Sequence, residues 1–154
     1  MRRPIADAVH RPGTFLDIGC ANGLLMESIA RWAPFPVEPY GLDFAPQLVA
    51  EARRRLPQWA HRIFEGDART WQPPHRFDFV RTELVYVLEE ERRAYVERLL
   101  GFVAPAGRLI VCGYGGDEVL APLRSWGIEP EAEREWLSPR SGKRVQIAAI
   151  GVPA

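Results

Sequence analysis

Short apolar runs alternate with amphipathic stretches along most of this chain, and that order leaves few folds open to it. Thr14-Phe15-Leu16-Asp17-Ile18 reads as a buried strand. Leu24 to Trp32 follows as a helix, with Leu25, Ile29 and Trp32 at helical spacing and Pro34 and Pro36 to stop it. A second strand runs up to Gly41-Leu42-Asp43. The next helix opens with Pro46, favoured in a first turn, and closes before Pro57. Arg62-Ile63-Phe64 forms a third strand candidate that ends at Glu65-Gly66-Asp67, and Phe77-Asp78-Phe79-Val80 a fourth. A helix starts at Glu89-Glu90-Glu91, acids that suit the positive end of its dipole, and runs to about Leu100. Pro105-Ala106-Gly107 turns into a fifth strand, Arg108 to Cys112. A short helix near Glu118 to Trp126 precedes two last strands, near Glu133 to Leu137 and Val145 to Ile150, joined by the turn Ser138 to Gly142.

Strands separated by helices pair in parallel, because each return to the same edge needs a crossover. A closing hairpin reverses the last strand. The expected fold is therefore α/β and doubly wound, with helices on both faces of a mostly parallel seven-stranded sheet whose C-terminal strand is antiparallel. Its 154 residues suffice for one core, so residues 1–154 are expected to form a single domain with a short N-terminal arm at 1–13.

Twenty basic and twenty acidic side chains cancel, so no global field draws the chain to nucleic acid or to anionic lipid. No apolar stretch reaches the ~18 residues that span a bilayer. Met1 to His10 carries two arginines without the apolar run of a signal peptide. Cys20 and Cys112 are too few for a disulfide framework or a zinc site. These features point to a cytoplasmic protein with no metal and no membrane partner.

In an open parallel sheet, ligands sit beyond the carboxyl ends of the strands, where the strand order switches. The first such loop is Asp17-Ile18-Gly19-Cys20-Ala21-Asn22-Gly23. Gly19 and Gly23 let the backbone turn tightly and let a ligand approach, and the following helix aims its N-terminus at the same place. The second strand ends in Asp43, where a carboxylate can accept hydrogen bonds from both hydroxyls of a ribose. The third ends in Gly66-Asp67-Ala68, an acid and a small residue suited to an adenine edge. Carboxylates at three strand ends cost free energy unless they find partners.

Phe15 to Gly23 resembles the first motif of the class I S-adenosylmethionine-dependent methyltransferases, a Rossmann-like family. Gly41-Leu42-Asp43-Phe44-Ala45 resembles the second motif and Gly66-Asp67-Ala68 the third. Phe77 to Val80 and Pro105 to Ile110 resemble the fourth and fifth strands, so the likeness runs in order from about Thr14 to Gly113. It implies S-adenosylmethionine as cofactor. Asp17 and the backbone of Gly19 and Cys20 would then surround its amino-acid end, with Gly23 closing the loop. Asp43 would hold the ribose, Phe44 pack on the adenine, and Asp67 and Ala68 contact the adenine edge. Thr82 and Glu83 would face the place where the methyl group is delivered. The family's middle glycine is Ala21 here, which is compatible with the motif if that residue keeps a negative φ. A nicotinamide cofactor fits poorly: aligned on Gly19, its Gly-x-Gly-x-x-Gly fingerprint meets Ala21 and Leu24.

For proton transfer the candidates are Glu83 and Tyr86, with Tyr114 at the next strand end. His61 and His75 fall outside the carboxyl ends, while His10 lies in an arm that in this family often folds over the acceptor. Cys20 reads as a small residue needed by the loop rather than a nucleophile, and Trp71 as an apolar anchor. Arg81-Thr82-Glu83-Leu84 stands where amide- and base-amino-methylating relatives carry Asn-Pro-Pro-Tyr. The resemblance thus implies methyl transfer to oxygen or nitrogen of a small-molecule acceptor, not to nucleic acid. The short arm leaves the acceptor site open, completed by a second copy, or completed by a partner. The other reading is a non-catalytic S-adenosylmethionine-binding subunit, or degenerate domain, that serves a partner protein.

Overall fold

The computed structural model describes residues 3–154, so Met1 and Arg2 of the expected arm lie outside the described residues. The strands are β1 (Gly13–Ile18), β2 (Val37–Asp43), β3 (Ile63–Glu65), β4 (Phe77–Glu83), β5 (Val103–Gly113), β6 (Ala132–Leu137) and β7 (Arg144–Gly151). They form one seven-stranded sheet in the order β3-β2-β1-β4-β5-β7-β6. β1 to β5 pair in parallel, and β7 runs antiparallel to both β5 and β6. The chain moves outward from β1 to β3 and then restarts on the other side at β4. The switch in strand order therefore lies between β1 and β4, as the reading of the sequence requires for a ligand crevice.

Register decides which side chains share a face. Phe15 lies opposite Phe79, Arg81 opposite Ile110, and Ile110 opposite Ala149. This face is covered by α1 (Arg3–Ala6) and α2 (Leu24–Trp32), through Ile5, Leu25 and Ile29. Beside them α3 (Pro46–Arg55) packs Val49 and Ala52 with Met26 and Ile63. The opposite face carries Leu16, Val80, Leu109 and Ala148, covered by α4 (Arg92–Leu100) and α5 (Leu120–Ser125). Phe15 and Phe79 are fully buried, each burial stabilising the fold by about 1.5–3 kcal/mol. Arg53 ties α3 to the short β3 by donating from Nε and a terminal nitrogen to the Ile63 carbonyl, at 3.1 and 2.6 Å.

Three elements differ from their expected form. The turn Pro105-Ala106-Gly107 lies inside β5, as an interruption where pairing jumps from Phe77–Val103 to Phe79–Arg108. Ala106 adopts φ 62° there. Glu89–Glu91 winds as a tighter 3-10 turn before α4, with Glu91 accepting the Leu88 N–H at 3.3 Å. β4 continues three residues past its expected end at Val80, through Arg81 and Thr82 to Glu83, so polar side chains enter a central strand. The arm is built differently as well. It packs α1 on the sheet face through Ile5 and Val9, and His10 stands edge-on to Phe79 at 5.5 Å between ring centroids. Phe79 lies below the carboxyl end of β4, so His10 does not fold over the place where an acceptor would sit.

On the α4 face, the hydroxyls of Thr82 and Tyr95 pair at 2.7 Å. Burial pushes the Tyr95 phenol up to about 12 from its ordinary 10.0. The folded chain thus holds this proton more tightly than the unfolded chain does. Stability is expected to be complete below pH 10 and to drain as pH rises from 10 towards 12, by about 1.4 kcal/mol per pH unit for this group. Urea unfolding at stepped pH should show that loss, and Tyr95→Phe should flatten part of it.

Candidate functional site

Gly19 follows the last residue of β1 at φ 74°, and the N–H groups of Gly19 and Cys20 both donate to the Leu42 carbonyl, at 2.8 and 3.1 Å. Ala21 then donates its N–H to Asp43 Oδ2, and Ala45 donates to Asp43 Oδ1, each at 2.9 Å. One carboxylate at the end of β2 thus fixes both the loop after β1 and the entry to α3. Gly23, at φ 84°, begins α2, and a Cβ there would come within 2.6 Å of Leu56. Ala21 corrects the expectation of a negative φ, since it stands at 48°. A left-handed alanine costs about 1–2 kcal/mol, which the Asp43 hydrogen bond helps to offset.

Two cavities open at the carboxyl edge and share Gly19 and Tyr86 as a common wall. The first, about 360 Å³, has Ile18, Leu42 and Ala68 as apolar lining, with Asp43 and Asp67 also along its wall. Phe44 borders it and is 78% exposed. Hydrogen bonds from the Arg69 side chain and backbone hold the Asp67 carboxyl below its ordinary range. The second, about 720 Å³, lies between the start of α2 and the β6–β7 turn, and Asp17, Arg81, Glu83, Tyr114 and Arg140 reach it. A Cβ on Gly19 would fall 2.6 Å from the Tyr86 oxygen, so the phenol rests on the glycine itself.

Arg81 organises the second cavity. It faces Asp17 across the β1–β4 ladder, and the side chains pair at 3.3 Å with both almost fully buried. Its other terminal nitrogen lies 2.6 Å from Glu83 Oε2. It also donates to the Tyr86 oxygen at 3.2 Å, and Tyr86 in turn donates to Glu83 Oε2 at 2.7 Å. The Tyr114 ring centroid is 5.9 Å from the guanidinium carbon. Burial works against the charge on Arg81, but the groups around it, Asp17, Tyr86 and Glu83 among them, outweigh this and raise its pKa. Burial also pushes the Tyr86 phenol far above its ordinary value, so it stays protonated and serves as a donor. Glu83 accepts at Oε2 from two donors, Arg81 and Tyr86.

Asp17, Gly19, Cys20, Asp43, Phe44, Asp67, Ala68, Glu83 and Tyr86 all lie along one cavity or the other. Gly23 lines neither and serves to start α2. Thr82 corrects its expected place at the methyl position: it is fully buried, on the opposite face of β4 from Glu83, with its hydroxyl against Tyr95. Cys20 borders the groove, but its thiol packs with Met26 and Val49, and burial, with Asp17 and Asp43 nearby, pushes it well up, away from a nucleophile. Trp71 packs against Phe64 and Phe102. Arg81 was missing from the expected site, although Thr82 and Glu83 beside it were expected at the end of the fourth strand. Alternation past Phe79 would have put an arginine beside Asp17 on a buried face.

A family profile described as "Methyltransferase domain" matches residues 15–107. Over 115 residues the chain is 35% identical to a trans-aconitate 2-methyltransferase of Methylobacterium radiotolerans, covering 71% of this chain and 43% of that protein. Over 130 residues it is 31% identical to a carboxy-S-adenosyl-L-methionine synthase of Chromohalobacter salexigens, covering 80% and 44%. The chain thus spans less than half the length of these two curated relatives. Among solved structures, the 1,6-didemethyltoxoflavin-N1-methyltransferase of Burkholderia thailandensis superposes with a TM-score of 0.77 at 16% identity, over 99% of this chain and 78% of that one. At that identity the likeness shows a shared fold.

Replacing Arg81 by alanine would leave Asp17 and Glu83 facing each other without their cation. The expected loss is about 3–5 kcal/mol of stability, read from chemical denaturation. Ala21→Gly should act the other way. It relieves the left-handed strain at the entropic cost of a glycine, for a net gain of up to ~1 kcal/mol in the same measurement.

Proposed function

The chain belongs to the class I S-adenosylmethionine-dependent methyltransferases, and from that premise we propose that it moves a methyl group from S-adenosylmethionine to an oxygen or nitrogen of a small-molecule acceptor. The observation that carries this reading is a pair of cavities joined at Gly19 and Tyr86, with Asp43 and Asp67 along one and Asp17 and Glu83 in the other. A ligand with an adenosine at one end and an amino acid at the other needs such a divided site. The apolar lining of Ile18, Leu42 and Ala68 suits a purine. Each Asp43 oxygen already accepts one backbone N–H and has a second lone pair to offer a ribose hydroxyl. Asp17, in the neighbouring groove, is the carboxylate for an ammonium group.

Bound there, S-adenosylmethionine supplies an electrophilic methyl carried by a positively charged sulfur. The protein's own part is chiefly to orient and to exclude water. Leu24 and Leu25 give the groove an apolar side. Where the acceptor holds its proton at neutral pH, Glu83 is the group to receive it, because Arg81 and Tyr86 fix its Oε2 and keep the carboxylate in place. Tyr86 donates a hydrogen bond and positions Glu83 rather than taking a proton itself. A small acceptor agrees with the size of the groove and with the small-molecule chemistry named for the trans-aconitate methyltransferase.

Calorimetric titration with S-adenosylmethionine and with S-adenosylhomocysteine tests the reading directly. Both are expected to bind at micromolar concentrations, and Asp43→Ala to weaken each by at least tenfold, about 1.4 kcal/mol. Because Asp43 also holds two loops, a thermal melt of the variant must accompany the titration. A folded wild-type chain that binds neither ligand would sink the proposal.

A further inference from the structure

Resting on the methyltransferase reading above, we propose that the acceptor is a small carboxylate, gripped through its anionic group by Arg140 while its reacting atom lies toward Glu83. Arg140 sits in the turn between β6 and β7. Since β6 opposes β7 and β7 opposes β5, β6 points the same way as β1 to β5, and this turn opens at the carboxyl edge. The turn is a built one. Ser138, itself buried, donates its N–H to the Lys143 carbonyl and accepts the Gly142 N–H at its own carbonyl, both at 2.8 Å. Its hydroxyl accepts the Arg140 N–H at 3.3 Å. The backbone that carries the arginine is therefore fixed.

The charges in the groove supply the argument. Asp17, Glu83, Arg81 and Arg140 are the charged residues that line it, two of each sign. Arg81 is consumed by Asp17 and Glu83. Arg140 borders the cavity as an exposed residue, and its side chain makes no ion pair or hydrogen bond among the described residues. S-adenosylmethionine carries an ammonium, a carboxylate and a sulfonium, so binding it adds one net positive charge to a balanced groove. An acceptor bearing a single negative charge offsets that sulfonium when the methyl donor is bound, while its grip on Arg140 is made with either form of the cofactor. One guanidinium offers one planar fork, matched to the two oxygens of a carboxylate. A dianionic phosphate would ask for a second cation that the groove lacks. The walls beside Arg140, Leu24 and Tyr114 among them, suit an acceptor with an apolar or flat body.

The competing assignment gives Arg140 to the carboxylate of the cofactor, and the experiment separates the two. The protein is first saturated with S-adenosylhomocysteine and then titrated with the monoanions 3-hydroxybenzoate and 4-hydroxybenzoate, each beside its neutral methyl ester. At least one acid should bind, and its ester should bind at least tenfold more weakly. Arg140→Gln should abolish that difference without changing S-adenosylhomocysteine affinity, and Arg140→Lys should retain part of it. The inference is overturned if neither acid binds at millimolar concentration to the saturated protein, or if the esters bind as well as the acids. It also falls if Arg140→Gln weakens S-adenosylhomocysteine tenfold, which would assign the arginine to the cofactor. Failure of S-adenosylhomocysteine itself to bind would instead remove the underlying methyltransferase reading.

Discussion

A buried arginine between two carboxylates is the constraint on which this site depends. Isolated, the charge of Arg81 could not be held in a central strand, because desolvating an ion costs several kcal/mol. It persists because parallel register sets it directly opposite Asp17, and because Glu83, two residues on along the same strand, points to the same face. The pairing joins β1 to β4 across the point where the strand order reverses. The crevice that opens there is thus braced by electrostatics along one wall, while Phe15 and Phe79 brace it by packing below.

A second brace works through the backbone. Asp43 takes N–H groups from Ala21 and Ala45, and the Leu42 carbonyl takes those of Gly19 and Cys20. Four amides of two loops are thereby committed to the end of β2. The amides of Gly19 and Cys20 serve the shape of the loop, so its contribution toward a ligand comes from its curvature and from the absence of a side chain at Gly19. Tyr86 exploits that absence and stands where the two cavities meet.

Most of this frame was legible in the sequence, for reasons that can be traced to residues. Leu24–Trp32 and Pro46–Arg55 appear as expected because glycine and proline punctuate them and apolar residues mark their inner faces. The acids at strand ends were readable because a carboxylate in such a place demands a purpose. What escaped depends on contacts distant in sequence. The polar end of β4 looks like a loop until Asp17 is known to lie beside Arg81. Thr82 looks available until Tyr95 covers it. Ala21 takes a positive φ where the family carries a glycine, and the hydrogen bond that holds it is donated by its own N–H to Asp43, 22 residues away in sequence.

The reversed β7 has a consequence of its own. Had the last strand been parallel, its connection would have been a crossover rather than a tight turn. The hairpin instead delivers Ser138 to Lys143 to the edge where the strand-to-helix loops converge, yet the turn contributes nothing to the sheet's inner packing beyond Ser138. Its outer residues can be exchanged without disturbing the frame that Arg81 and Asp43 hold. The architecture thus separates the buried frame, which the fold needs, from an exposed corner at the same edge that can change its side chains at little cost to the core.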